Sequence, residues 1–188
     1  MTHKQKKANL VWLDLEMTGL DPARCTILEI ATIATDGQLT ILSEGPSLVI
    51  HHPPRVLATM EPWSRTQHAA SGLTARAQAS RVSLRQAEAQ TLAWLKHWAR
   101  PRTAPLCGNT IWQDRRFLVK YMPELEQYLH YRTIDVSSVK ELVSRWYPND
   151  HAMPRQKENT HRVADDIRES IDELKHYRKK VFVAHPKP

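Results

Sequence analysis

Residues 10–17 are apolar except for acids at the alternate positions 14 and 16, and this pattern predicts a strand with two different faces, because successive side chains of a strand point to opposite sides. The alternation assigns three residues to each face: Val11, Leu13 and Leu15 to one, and Trp12, Asp14 and Glu16 to the other. The run is apolar enough for a buried strand. The turn at residues 18–20 is typical of a backbone that approaches a ligand closely.

More strands are predicted before the middle of the chain. Residues 26–35 are rich in β-branched and apolar side chains, residues 36–37 predict a hairpin turn, and residues 39–42 predict its return strand. A separate short strand is predicted at 47–50, so that three or four antiparallel strands come first. Residues 55–82 show no strong period and predict short helices and loops outside the core, which often carry binding contacts.

The second half of the chain alternates helices with short strands. Ser83 and Gln86 match a capping box that begins an amphipathic helix ending near residue 100. The later elements are predicted in this order: a strand at 105–109, a helix at 113–121, a strand at 131–135, a helix at 139–147 capped by Ser137, a polar loop at 148–159 and a last helix from about residue 160. This order predicts an α/β fold, a mixed five-stranded sheet flanked by helices, of the ribonuclease H-like type.

The last helix distinguishes between two adjacent acids. Helical periodicity predicts one buried stripe: Val163, Ile167, Ser170, Leu174, Tyr177 and Val181. Asp166 falls beside this stripe and can point into a site, whereas Asp165 shares the opposite, solvated face with Glu169. His161 precedes the helix and can lie in a loop above Asp166, although a histidine near an aspartate is most often structural.

The acidic residues predict a metal site. Asp14 and Glu16 lie roughly 6 to 7 Å apart along the strand and need a counter-charge, which a divalent cation can supply. The alternative is a solvated face of an edge strand. Asp114 lies in the first turn of a helix, where it can equally be a partner of the helix dipole. If Asp114 and Asp166 converge with the strand acids, four carboxylates from three elements form a two-metal phosphoryl-transfer site.

Composition limits the class of protein. The 188 residues are 41% hydrophobic and favour one domain over residues 9–183, with a disordered basic tail at 1–8 and a C-terminal tail at 184–188. The net charge of +7 indicates a polyanionic partner, with nucleic acid favoured over a membrane because no long apolar span or signal peptide is found. Cys25 and Cys107 are too few for a disulfide framework, which favours a reducing cytoplasm.

Eight short motifs resemble the oligoribonucleases of the DEDD exonuclease superfamily, in its histidine-bearing branch. The resemblance extends from about residue 9 to 182, without a large gap. The motifs are WLDLEMTGL at 12–20, HAASGL at 68–73, CGN at 107–109, QDRRFL at 113–118, YMPEL at 121–125, HYR at 130–132, DVS at 135–137 and DDIRES at 165–170. Together they are highly specific, whereas Asp-x-Glu alone is weak.

The resemblance implies a 3′-to-5′ exoribonuclease that hydrolyses di- to pentaribonucleotides to 5′-mononucleotides. Asp14, Glu16, Asp114 and Asp166 would bind two Mg²⁺ or Mn²⁺ ions. His161 would be the general base, helping to deprotonate the water that attacks the last phosphodiester.

Substrate contacts and a homodimer are implied in the same way. The implied substrate-binding residues are Leu20, Trp63, His68, Ser71, Thr110, Tyr131, Arg132 and Ser137. Leu20 and Trp63 would pack on the 3′ base. Tyr131 and Arg132 would reach the site of the partner subunit, where Tyr131 stacks on a base and Arg132 holds a terminal phosphate.

The chain departs from the family pattern at a few positions. Thr110 and Trp112 stand where the family has serine and glycine, Thr133 replaces an aromatic residue, and residues 154–159 differ. None of these positions is one of the four acids or His161, so the departures affect the expected length preference and not the expected activity. The alternatives are a proofreading-type DNA exonuclease with the same acids, and a non-catalytic RNA-binding module, which would be expected to lack an acid or the histidine.

Overall fold

A computed structural model describes residues 9–148 and 163–182. The predicted tails at 1–8 and 184–188 lie outside these ranges. So do His161, the predicted start of the last helix near residue 160 and most of the loop predicted before it.

Within the described ranges, five strands form one mixed sheet in the order β3-β2-β1-β4-β5. Their bounds are β1 Leu10–Met17, β2 Ile27–Thr35, β3 Ile41–Val49, β4 Leu106–Gly108 and β5 Thr133–Asp135. β1 pairs antiparallel with β2 and parallel with β4, and it is therefore a central strand. The edge-strand alternative is wrong, and the predicted fold class is confirmed.

β3 corrects one detail of the prediction. The expected return strand at 39–42 and the expected separate strand at 47–50 are parts of one continuous strand, with register shifts in its pairing with β2. The turn before it is built by Asp36, whose side chain accepts hydrogen bonds from the N–H groups of Gln38 and Thr40 at 2.8 and 2.9 Å. The sheet therefore begins with three antiparallel strands.

Eight helices within the described ranges cover the sheet. Their bounds are α1 Pro54–Leu57, α2 Pro62–Ala70, α3 Leu73–Ala79, α4 Leu84–Trp98, α5 Ile111–Tyr121, α6 Pro123–Tyr128, α7 Val136–Trp146 and α8 Val163–Lys180. The capping box of Ser83 and Gln86 is confirmed at the start of α4. The prediction that Ser137 caps α7 is wrong. Asp135 holds that position, because its carboxylate accepts from the N–H of Ser137 at 3.0 Å.

The two faces of β1 pack against different helices, as the alternation predicts. The first face, with Leu13, joins a core that includes Leu95 of α4 and Phe117 of α5. Trp12 on the second face joins a core that includes Val143 of α7 and Ile167 of α8. β1 is thus buried on both sides, and its position relative to α5 and α8 is fixed by packing.

Residues 55–82 belong partly to the core, which corrects the expectation that they lie outside it. Leu57, Met60, Leu73 and Ala77 are buried and pack against Leu28 of β2. This packing holds α1 and α3 against β2. None of the helices in the described ranges is long and apolar enough to cross a membrane.

Candidate active site

Three carboxylates from two elements meet at the C-terminal end of β1. Asp14 and Glu16 belong to β1, and Asp166 belongs to the first turn of α8. One oxygen atom of each lies within 4.8 Å of the others. α8 packs across β1 and β2, which carries Asp166 over the end of the strand. The cluster contains Asp166 and not its neighbour Asp165.

Asp114 lies against the same strand from the other side. It is in the first turn of α5, is only 5% exposed, and its Oδ1 atom accepts a hydrogen bond from the N–H of Leu15 at 3.0 Å. Leu15 is the residue between the two strand acids. Asp114 therefore contacts β1 directly and is more than a partner of its own helix dipole, although it is not one of the three acids in the tightest cluster.

Burial and crowding of like charges change the acidity of this group. Burial, followed by the charges of Asp166 and Glu29, raises the pKa of Glu16 to about 7. Burial also raises the pKa of Asp114 to about 7, while the N–H of Leu15 opposes the rise. Anionic oxygen atoms this close repel one another, and a bound cation relieves the repulsion. An all-carboxylate donor set suits Mg²⁺ or Mn²⁺ better than softer metals.

Glu29 is an acidic residue of this region that the sequence prediction missed. It pairs with Glu16 in the register of β1 and β2 and is 6% exposed. Arg76 of α3 donates two parallel hydrogen bonds to its carboxylate, both at 3.1 Å. Since this bidentate pair places a cation next to Glu29, it offsets part of the negative charge behind Glu16. The signal in the sequence was weak, because Glu29 lies in an otherwise apolar run.

His68 lies behind the acids and does not face open solvent. It is 3% exposed, its Nε2 atom lies 2.8 Å from the carbonyl oxygen of Met17, and its Nδ1 atom lies 3.8 Å from Glu16. Burial lowers its pKa. These contacts tie α2 to the end of β1, so His68 supports the strand acids. Ser71, predicted beside it, is exposed at the C-terminal end of α2.

Leu20 and Trp63 are exposed apolar residues near the end of β1. Their exposed fractions are 63% and 69%, which is high for such large apolar side chains. Glu61 accepts a hydrogen bond from the N–H of Leu20 at 3.3 Å, and the Gln113 side chain donates to the Leu20 carbonyl oxygen. The backbone of Leu20 is therefore held on both sides. Sequence reasoning missed both partners, Glu61 at the N-cap position of α2 and Gln113 in α5.

Thr110 and Ser137 form a hydroxyl pair between the first turns of α5 and α7. Their Oγ atoms lie 3.1 Å apart, and the N–H of Thr110 donates to Asp135 and to Ser137, both at 3.0 Å. Thr110 has a φ of 53°, a left-handed conformation that is uncommon for threonine. The pair lines an open cavity of about 420 Å³ together with Trp112.

Tyr131 and Arg132 are exposed and lie before β5. The Arg132 Nε atom donates to the Tyr131 hydroxyl at 3.2 Å, and the guanidinium lies 5.5 Å from the centre of the Tyr131 ring. β5 runs parallel to β4, so Asp135 at its end lies beside the hydroxyl pair while Arg132 precedes its start. By strand rise, about 10 Å of chain separates Arg132 from Asp135. Within the described ranges, these two side chains contact each other and His130, and none of these contacts joins them to the acids.

Comparison with known proteins decides the family. The profile of the exonuclease family RNase_T matches residues 11–174. The oligoribonuclease of Pseudomonas aeruginosa is 56% identical over 174 residues, which cover 93% of this chain and 96% of that protein. The oligoribonuclease of Dichelobacter nodosus is 53% identical over 178 residues, which cover 95% and 97%. This chain belongs to the oligoribonuclease family. Membership confirms the resemblance that the motifs predict, and it confirms an exonuclease, a hydrolase of phosphodiester bonds.

Solved structures agree with this family in their fold. Exonuclease I of E. coli, in complex with a dT13 oligonucleotide, has a TM-score of 0.71 at 15% identity and covers 92% of this chain. Exonuclease I of Methylocaldum szegediense has a TM-score of 0.63 at 17% identity. This chain spans about two fifths of the length of each, 41% in both cases. At such low identity the likeness establishes the ribonuclease H-like fold alone.

Proposed function

We propose that this member of the oligoribonuclease family is a 3′-to-5′ exoribonuclease that hydrolyses di- to pentaribonucleotides to 5′-mononucleotides with two Mg²⁺ or Mn²⁺ ions. The observation that carries the proposal is the convergence of Asp14, Glu16 and Asp166 within 4.8 Å. Asp114 adds a fourth carboxylate against the same strand. Relatives at 53–56% identity are oligoribonucleases, which favours RNA over the DNA alternative.

The four acids would hold the cations. Asp14 and Glu16 are fixed by a central strand, Asp166 by α8 and Asp114 by α5, so the ligand positions are set by the packing of the core. When bound, the cations supply positive charge to the attacking and leaving oxygens of the phosphodiester. The raised pKa values of Glu16 and Asp114 support a cation site here, because burial without a counter-charge favours the protonated carboxyl and a bound cation would supply that counter-charge.

Proton transfer is assigned to His161. In the proposal, this side chain takes the proton from the attacking water, as the resemblance implies. The buried His68 suits this step less well, because its Nε2 atom contacts the carbonyl oxygen of Met17 and burial lowers its pKa. His68 is instead assigned to holding the end of β1, where it lies 3.8 Å from Glu16.

The two ends of a short substrate are assigned to different groups. Leu20 and Trp63 would pack on the 3′ base, since both present apolar surface to solvent and Glu61, two residues before Trp63, accepts a hydrogen bond from the N–H of Leu20. The hydroxyls of Thr110 and Ser137 would bind the 5′ phosphate. Ser71 is placed near the substrate by the resemblance alone.

A homodimer completes the proposed site. Tyr131 and Arg132 precede β5, whereas Asp135 ends it beside the hydroxyl pair, and this separation along the strand supports their use in a neighbouring protomer. Arg132 can hold a terminal phosphate by charge-assisted hydrogen bonds, and Tyr131 can stack on a base without demanding a sequence. The cytoplasm is proposed as the compartment, because both cysteines are free and buried.

Product analysis of end-labelled RNAs of graded length tests the proposal. The protein and its Asp14→Asn variant are incubated with 5′-phosphorylated RNAs of two to twenty nucleotides, in Mg²⁺, in Mn²⁺ and in excess EDTA. We expect 5′-mononucleotides released from the 3′ end, fastest from the shortest substrates, and no product in EDTA or from the variant. Undiminished hydrolysis in EDTA, or a rate on the twenty-nucleotide RNA equal to the rate on the dinucleotide, would contradict the proposal.

A further inference from the structure

Arg115 connects the helix that carries Asp114 to the loop that carries Tyr131 and Arg132. Its Nη1 atom donates to the carbonyl oxygens of His130 and Tyr131 at 3.0 and 2.9 Å. Its Nε and Nη2 atoms donate to one oxygen of Glu126, at 3.0 and 2.7 Å. All three guanidinium nitrogens are thus used, and both members of the ion pair are largely shielded from solvent, at 17% and 19% exposure.

The loop beyond Arg115 has its own internal order. The His130 ring stacks on the Tyr131 ring with centroids 4.4 Å apart, and its Nδ1 atom accepts from the N–H of Arg132 at 3.0 Å. The exposed ring of Tyr131 also lies 5.5 Å from the guanidinium of Arg132. Arg115 therefore supplies the link between these two exposed side chains and the rigid α5 helix, through the backbone that bears them.

We propose that Arg115 is a positioning residue, which holds Tyr131 and Arg132 in the geometry that grips the 5′ end of a substrate in the neighbouring protomer. The inference rests on the proposed function, because the proposed function uses the loop of Tyr131 and Arg132 to bind substrate. A purely structural alternative exists, in which Arg115 only joins α5 to α6 through Glu126. The two are separable because different guanidinium nitrogens make the two sets of contacts.

Arg115→Lys and Glu126→Gln separate the two roles. Lysine keeps one positive charge near Glu126, but an ammonium group lacks the planar fork that contacts two carbonyl oxygens and a carboxylate at once. We expect Arg115→Lys to raise KM for a 5′-phosphorylated diribonucleotide about tenfold. Its kcat and its KM for the same dinucleotide without the phosphate should stay within about twofold. Glu126→Gln should lower the thermal midpoint and leave both KM values near those of the wild type.

Arg178→Lys is the matched control, because Arg178 also donates to a loop carbonyl oxygen, that of Gln38, at 3.2 Å and far from the acids. It should change neither KM. Equal rises of KM for both dinucleotides in Arg115→Lys, or no change in either, would overturn the positioning role. Wild-type hydrolysis in the same assay tests the proposed function separately, since its absence would refute that function before any variant is compared.

Mixed dimers test whether the loop serves the neighbouring protomer. Arg115→Lys subunits have intact acids and a disturbed loop, whereas Asp14→Asn subunits have a disabled acid and an intact loop. Dimers of one subunit of each kind, isolated through two affinity tags, should show the wild-type KM for the phosphorylated dinucleotide and about half the wild-type kcat per dimer. If the mixed dimer keeps the raised KM of Arg115→Lys, each loop serves its own subunit and the proposal is wrong.

Discussion

The backbone N–H of Leu15 donates to the Oδ1 atom of Asp114 at 3.0 Å. Leu15 separates Asp14 from Glu16, so this hydrogen bond joins α5 to the strand at the place where the two strand carboxylates lie. The bond also opposes the effect of burial on the pKa of Asp114. The position of the fourth acid is thereby set by the protein itself, before any cation binds.

Asp14→Asn should lower kcat to near the uncatalysed background while the protein stays folded. The substitution removes one negative charge from a crowded cluster, so we expect an equal or higher thermal midpoint for the variant in EDTA. Calorimetry with and without Mg²⁺ measures this. The wild type should gain more stability from Mg²⁺ than the variant, because the cation binds the folded state. An equal gain in both proteins would argue against Asp14 as a ligand.

His161→Ala should lower kcat by about 10² to 10⁴, the usual contribution of a general base. Metal affinity, measured by calorimetric titration, should change little. The pH profile provides the specific evidence: the rise in rate with pH that accompanies deprotonation of a histidine should disappear in the variant. His176→Ala, a substitution of a histidine near the far end of α8, is the control. A variant with the wild-type rate and pH profile would show that another group accepts the proton.

Arg132→Ala should remove the advantage that a 5′ phosphate gives a diribonucleotide. We expect the ratio of kcat/KM values with and without the phosphate to fall about tenfold or more, the usual loss for a charged hydrogen bond. The metal dependence of the rate should not change.

Light scattering of the wild type should show a dimer. A fully active monomer, or a variant that retains the phosphate preference, would contradict the assignment of Arg132.

Trp112→Ala should change the length preference and not the metal chemistry. Trp112 is 55% exposed beside the hydroxyl pair, and its ring lies 5.7 Å from the guanidinium of Arg116. Because the side chain is outside the core, we expect a small loss of stability, within about 0.5 kcal/mol. The ratio of rates on tetra- and dinucleotides should change more than twofold. Val119→Ala, at another exposed position of α5, should leave the ratio as it is.

His52 should make the protein less stable in mild acid. It is 7% exposed, its Nε2 atom lies 2.8 Å from the carbonyl oxygen of Ile27, and burial lowers its pKa below 6.5. The unfolded chain therefore binds a proton at a pH where the folded protein does not. This contribution to stability is present above about pH 6.5 and is lost as the pH falls, by at most about 1.4 kcal/mol per pH unit.

His52→Gln tests this through denaturant unfolding at pH 5.5 and 8. The loss of stability between the two pH values should be smaller in the variant than in the wild type. His51→Gln, at the exposed neighbouring position, should keep most of the wild-type loss, because burial lowers the pKa of His52 more than the charge of His51 does. An equal loss in all three proteins would show that His52 does not contribute.

Local patterns predicted the central strand and the order of the elements well. The run at residues 10–17 is a strong signal because β1 is buried on both sides, and helical periodicity placed Asp166 beside Val163, Ile167 and Ser170, which are buried in α8. The face of Asp165 and Glu169 is half-buried and not solvated as predicted, and Ile171 and Glu173 widen the buried face beyond the predicted stripe. The capping box of α4 was readable for a similar reason, since both of its residues lie within one turn.

The remaining features depend on contacts between distant segments, which a local pattern does not contain. Glu29 resembles an isolated polar residue until α3 brings Arg76 to it. Asp135 and Ser137 are both good caps, and only the backbone path from β5 into α7 shows that Asp135 is used. Arg115 likewise contacts His130 and Tyr131, which follow it in the chain by 15 and 16 positions. These are the residues that sequence reasoning missed or assigned incorrectly.

The packing of α8 across β1 and β2 has a consequence for the biosynthesis of the enzyme. A nascent chain that has left the ribosome only as far as Trp146 has every strand of the described sheet and holds Asp14, Glu16 and Asp114, yet it lacks Asp166. The first turn of α8 must be synthesised and must leave the ribosome before the group of acids is complete. We therefore expect the ribosome-bound protein to be inert towards RNA, so that the nuclease becomes active only after most of its chain has been synthesised.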